Sequence, residues 1–62
     1  MSREVFRSGP RVVQLTRLAE DCYEYTHWIG ERKCFTIPLF ADQYEKTVLG
    51  LLARGYICRS EG

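Results

Sequence analysis

Long apolar runs are missing from this 62-residue chain: nowhere do more than a few hydrophobic residues follow one another, far short of the roughly 20 that a membrane-spanning helix needs. The segment Met1-Ser2-Arg3-Glu4-Val5-Phe6-Arg7 also lacks the apolar centre of a secretory signal, so a cytoplasmic product is expected. Cysteine is scarce and odd in number. Cys22, Cys34 and Cys58 fit no small secreted disulfide framework, and free thiols in a reducing compartment are the expectation. No glycine-rich phosphate loop, paired-carboxylate site or Ser-His-Asp set is present. Neither an enzyme activity nor a cofactor is therefore expected.

A strong charge of one sign is lacking as well. Nine Lys and Arg against eight Asp and Glu leave a net charge of +1, too little for a general nucleic-acid binder. The sum hides an asymmetry: residues 1–17 hold Arg3, Arg7, Arg11 and Arg17 against Glu4, which is +3 and leaves −2 for the rest. A basic N-terminal arm is thus allowed. Glu20, Asp21 and Glu24 make the only local acidic cluster, which reads as a solvated turn rather than a DNA-mimicking surface. What remains is an ordinary globular composition, 45% hydrophobic and 27% charged. It makes one domain, near the size at which a core barely suffices without staples.

The richest stretch is Cys22 to Pro38. Tyr23, Tyr25, His27, Trp28 and Ile29 precede Gly30-Glu31-Arg32-Lys33, and Cys34-Phe35-Thr36-Ile37 follow, which reads as a β-hairpin with aromatics on both faces of its first strand. Loop length decides the faces. A three-residue loop, Gly30 to Arg32, joins Tyr23, Tyr25, His27 and Ile29 with Phe35 and Ile37, the better hydrophobic partition; a two-residue II′ turn puts Trp28 with Phe35 and Ile37 instead.

Around the hairpin, residues 1–10 end in Ser8-Gly9-Pro10 and read as a flexible arm or edge segment. Residues 11–18 read as a strand with Val13 and Leu15 on one side and Gln14 and Thr16 on the other, a helix being the competing reading, and Ala19-Glu20-Asp21 as a turn. Pro38 is expected to end the second hairpin strand. Asp42-Gln43-Tyr44-Glu45 has the form of a capping box, and Tyr44, Val48, Leu51 and Leu52 line one face of the helix behind it. Gly55 stops that helix, with Tyr56 folding back on Leu51 and Arg54 at the negative end of the dipole. Gly50 inside it costs about 1 kcal/mol relative to alanine and marks a close approach by a strand or a partner. Residues 56–58 form a last short strand before a charged tail. The fold class is α+β: a three- to four-stranded antiparallel sheet with one C-terminal helix on one face, in the order β-β-β-α-β, with Tyr23, Tyr25, Ile37, Val48 and Leu52 as core.

Four potential metal ligands, Cys22, His27, Cys34 and Cys58, follow a Cys-x4-His-x6-Cys-x23-Cys spacing without the close cysteine pair of structural zinc sites. Strand parity also sends Cys22 and His27 to opposite faces. No metal is expected. A cysteine nucleophile would need Cys34 beside His27, which only the two-residue turn supplies. Binding is the remaining class. Tyr, Trp and Arg are the residue types that anchor interfaces, and Glu24, Trp28, Arg32 and Lys33 are the expected contact residues.

Two resemblances bear on that binding. The aromatic strand, the basic Arg32-Lys33 turn and the following helix resemble the arm-binding domains of tyrosine recombinases and plant-type sheet readers, which lay a sheet in the major groove. Those domains carry several Arg or Lys on their strands, whereas the Cys22–Ile29 strand has only Glu24. The helix with Gly55-Tyr56-Ile57 is also similar to the end of a winged helix, without the first helix pair. By size, αβ organisation and absence of a catalytic set, the whole chain resembles the small inhibitors encoded by phages and mobile elements, including anti-CRISPR proteins. That resemblance implies a host protein complex as partner, a nucleic-acid-targeting machine, and action as a non-enzymatic inhibitor, often as a homodimer. The alternative is a small DNA-binding accessory protein using its sheet and its arginine-bearing N-terminus.

Overall fold

The computed structural model describes residues 2–61, with Ser60 and Glu61 described by their backbone alone. Met1 and Gly62, the ends of the expected arm and tail, lie outside the described residues. The chain forms β1 (Arg3–Ser8), β2 (Arg11–Arg17), β3 (Cys22–Ile29), β4 (Arg32–Phe40), α1 (Ala41–Ala53) and β5 (Ile57–Glu61). One antiparallel sheet holds all five strands in the order β4-β3-β2-β1-β5. The α+β architecture with one C-terminal helix on one face is as the sequence predicts. One strand more is present.

That extra strand corrects the expected arm. Arg3–Ser8 is an inner strand, hydrogen-bonded to β2 on one side and β5 on the other. Its apolar pair explains why: Phe6 is fully buried on one face and Val5 is 2% exposed on the opposite one. The breaker run Ser8-Gly9-Pro10 is a hairpin turn, not a hinge. Gly9 and Gly30 both take φ of +59°, and among the described residues none other than glycine has positive φ, so both two-residue turns are of the II′ kind, which needs a left-handed residue first. The Gly30 N–H donates to the Pro10 carbonyl at 2.8 Å, which ties the two turns side by side.

The register of the main hairpin resolves both readings of its loop. Ile29 pairs with Arg32 and Trp28 with Lys33, as a two-residue turn requires, but the ladder then shifts between Trp28 and His27, and His27 pairs with Phe35. Cys34 is the extra residue of a β-bulge. From His27 onward the faces therefore follow the three-residue partition: Tyr25 meets Ile37 and Tyr23 meets Leu39. Pro38 does not end β4, which runs on to Phe40. As β4 is an edge strand, the missing proline N–H interrupts no ladder.

Because β4 and β5 sit at opposite edges, the connection between them must cross the sheet, and α1 makes that crossing. Its start corrects the expected capping box. The helix begins at Ala41 with Phe40 as N-cap, and the Phe40 N–H donates to Gln43 Oε1 at 3.3 Å, so Gln43 rather than Glu45 reaches back while Asp42 sits in the first turn. The other end follows expectation. Gly55, at φ +91°, donates its N–H to the Leu52 carbonyl and Tyr56 donates to Leu51, the paired bonds of a Schellman motif. Phe6, Val13, Leu15, Leu39, Leu51 and Tyr56 make one core under the helix, with Tyr23, Tyr25, Tyr44 and Val48 packed against it. Each fully buried Phe, Val or Leu contributes about 1.5–3 kcal/mol. Tyr56 belongs to this core and not to the last strand. Two expected core residues are corrected: Ile37 is 44% and Leu52 47% exposed. A 13-residue helix, about 20 Å long, leaves the turn end of β3 and β4 uncovered.

Candidate binding face

The side of the sheet away from α1 has no covering layer among the described residues, and strand alternation decides what it presents. Val13, Leu15, Tyr25 and Leu39 point to the helix, so their sequence neighbours point away. The paired register arranges those neighbours in rows. At the turn end the row is Ile57, Arg7, Val12, Trp28 and Lys33. The next is Arg59, Val5, Gln14, Thr26 and Thr36, and the third holds Arg3, Thr16, Glu24 and Pro38.

Three of the four expected contact residues, Glu24, Trp28 and Lys33, thus share this face. Arg32 does not. It pairs with Ile29 and projects to the helix side of the hairpin tip. Tyr56 does not reach this face, being 9% exposed inside the core beneath the helix. The sequence reading set Arg3 and Arg7 on an N-terminal arm and did not single out Arg59; the sheet brings them together through β1 and β5. Arg3 and Arg7 flank Val5 on β1 and Arg59 stands opposite it on β5. Period-two alternation in Arg3-x-Val5-x-Arg7 and Ile57-x-Arg59 was the available signal. Four cations therefore meet two carboxylates, Glu24 and, at the turn, Glu31, among the side chains described on this face.

Shielding on the face is uneven. Val5 at 2% and Thr26 at 7% are as hidden as core residues, although no helix lies over them. Gln14 and Arg59 stand beside Val5, with Arg3 and Arg7 two positions away; long arginine stems cover apolar surface while their heads stay in water. The Thr26 and Thr36 hydroxyls hydrogen-bond across the strands at 3.2 Å. Trp28 is half-buried, and its indole N–H is buried with no partner among the described residues, so its exposed part is ring carbon. Beside it, Arg7, Val12, Gln14, Gly30 and Glu31 line an open recess of about 310 Å³. Arg7 also walls a second one of about 420 Å³ with Ile57 and Arg59.

Polar chemistry on the helix side is of another kind. The Tyr44 hydroxyl donates to Glu4 Oε1 at 2.7 Å, the Cys58 thiol approaches Glu4 Oε2 at 3.6 Å, and the Tyr44 ring stacks on Tyr23 with centroids 4.2 Å apart. Burial, then the bond to Glu4, pushes the Tyr44 hydroxyl well above the ordinary tyrosine range, and burial, then the negative charge of Glu4, pushes the Cys58 thiol up. Burial likewise raises Tyr25, reinforced by Tyr56 and opposed by Arg54. These groups hold their protons, so the cluster works as a clamp between α1, β1 and β5.

Cys34 lies at the bulge, Cys22 projects to the open face, and His27 stacks edge-on against Phe35 at 5.3 Å on the helix side. No group of three or more His, Cys, Asp or Glu gathers around a common point among the described residues. No helix among them is long and apolar enough to cross a membrane. No family model, curated protein or solved structure matches this chain.

Proposed function

We propose that this protein is a non-enzymatic, cytoplasmic binding protein that holds nucleic acid on the helix-free face of its sheet. The observation carrying the proposal is the meeting of Arg3, Arg7, Arg59 and Lys33 with Trp28 on one uncovered surface. Concentrated there, the cations supply the phosphate contacts that a net charge of +1 conceals. An electrophoretic shift with a mixed pool of DNA and RNA fragments, at about 50 mM and about 200 mM salt, tests it. A shift that weakens steeply with salt is expected; no shift at the lower salt rules the reading out.

The second reading is the phage-type inhibitor of a host nucleic-acid-targeting machine, acting as monomer or homodimer through Glu24, Trp28 and Lys33. Its favouring observation is that these three residues of mixed character share a face, as interface anchors do. The sign of the face tells against its simplest form. Channels that hold nucleic acid are basic, and a basic face is repelled by them. Pull-down from a host extract treated with nuclease separates the two, since only a protein partner survives that treatment.

A further inference from the structure

Two recesses on the helix-free face share one wall. The Trp28 recess and the Ile57–Arg59 recess both contain Arg7, and Ile57, Arg7, Val12 and Trp28 belong to one row across β5, β1, β2 and β3. The result is a track: an aromatic plane, a cation, an apolar side chain that is 72% exposed and a second cation. Resting on the nucleic-acid reading above, we propose that this track binds single-stranded nucleic acid, with one base stacked on Trp28, a second base about two nucleotides along, three strand spacings away, against Ile57, and the phosphates between them held by Arg7 and Arg59.

Three observations favour a single strand over a duplex. Five strands spaced about 4.8 Å apart make a face about 19 Å wide, broader than the roughly 12 Å major groove that a sheet element would have to enter. The exposed part of Trp28 is ring carbon, its N–H being buried, which suits stacking and not hydrogen-bond readout of a paired base. Gln14 and Glu31 line the Trp28 recess, within a volume where only an unpaired base brings its own edge. Glu31 repels phosphate and accepts from an exocyclic amine, so the backbone follows the Arg7 side and adenine, cytosine or guanine is preferred over thymine or uracil in that recess.

The chain's single tryptophan reports on the track directly. Tryptophan emission is followed while adding a mixed-sequence single-stranded DNA of about ten nucleotides, the same sequence as a duplex, and inorganic polyphosphate, with anisotropy of a labelled strand in parallel. The single strand should quench Trp28 and bind with a log–log salt slope near −2, as about three phosphate contacts from Arg7, Arg59 and Lys33 require. Polyphosphate should compete without quenching. Trp28→Ala should weaken binding by between about fivefold and a hundredfold and Trp28→Phe should restore most of it, while Arg7→Gln, at an exposed site, should flatten the slope by about 0.7. Circular dichroism checks that each variant is folded, and Arg7→Gln keeps the test decisive should Trp28→Ala unfold. Duplex binding as tight as the single strand, with no quenching and no effect of the Trp28 variants, overturns the track and leaves the nucleic-acid reading standing. Absence of binding by every nucleic acid overturns both.

Discussion

On the side under α1, β1 to β4 contribute Phe6, Val13, Leu15, Tyr25 and Leu39 to a core closed by Leu51 and Tyr56. On the other side β1, β2, β3 and β5 contribute Arg7, Gln14, Thr26, Trp28 and Arg59, and no element lies over them among the described residues. Both faces nevertheless contain residues shielded as thoroughly as any in the molecule: Phe6 at 0% on one, Val5 at 2% on the other. The difference lies in what does the shielding. A helix covers the first, while long polar and cationic side chains cover the second. Stability is concentrated under the helix, and Arg3, Arg7 and Arg59 stand exposed on the open face.

The sharpest way to break this contrast is to cut into each face and compare losses. Phe6→Ala should cost about 3–5 kcal/mol, enough to unfold most of so small a domain, as a thermal melt followed by circular dichroism would show; a loss below about 1 kcal/mol would mean the core is not where it is drawn. Val5→Ala, one position along the same strand, should cost about 2 kcal/mol in a denaturant titration. A negligible effect there would show that the arginine cover excludes little water.

Smaller effects refine the picture. Tyr44→Phe removes the bond to Glu4 and should cost about 1 kcal/mol at neutral pH. The pH dependence has a definite sign: folding raises the Tyr44 pKa, so the folded state holds that proton more tightly than the unfolded chain. The contribution is complete below about pH 10, where an unfolded tyrosine is still protonated, and is lost as pH climbs toward the folded value. Denaturation curves at alkaline pH should therefore converge for wild type and variant. Gly50→Ala should stabilise by up to about 1 kcal/mol, since an added Cβ meets nothing within 4 Å; a loss in the isolated chain would reveal a close approach absent from this structure. Smallest of all, Arg7→Gln and Arg59→Gln should each change stability by no more than about 0.5 kcal/mol, and a larger loss would make those arginines part of the fold.

Much of the fold was legible in the sequence because its signals are local. Alternation in Val13-Gln14-Leu15-Thr16, the turn at Ala19 to Asp21, and the helix stop at Gly55-Tyr56 each follow from a few adjacent residues. What was not legible depends on distant partners. Arg3–Ser8 becomes an inner strand because β5, more than 40 residues later, pairs with it. The bulge at Cys34 reconciles a two-residue turn with a hydrophobic partition belonging to a three-residue one, and neither half of that compromise shows alone. Ile37 stays exposed because it lines an open recess between the sheet and Lys46, Thr47 and Gly50 of α1, and Leu52 because it sits about 100° around the helix from Leu51, which takes the core position. The candidate face was half visible: Glu24, Trp28 and Lys33 were singled out, but Arg7 and Arg59 joined them only once β1 and β5 were in the sheet.

The central claim is that cations gathered by β1 and β5 make the helix-free face a nucleic-acid surface. Its most direct test compares the wild-type protein with the Arg3→Gln, Arg7→Gln, Arg59→Gln triple variant, titrated against labelled single-stranded DNA at about 50 mM salt. Binding by the wild type and its near-complete loss in a variant of unchanged fold is the predicted result; equal binding by the two proteins, or none by the wild type, would contradict it.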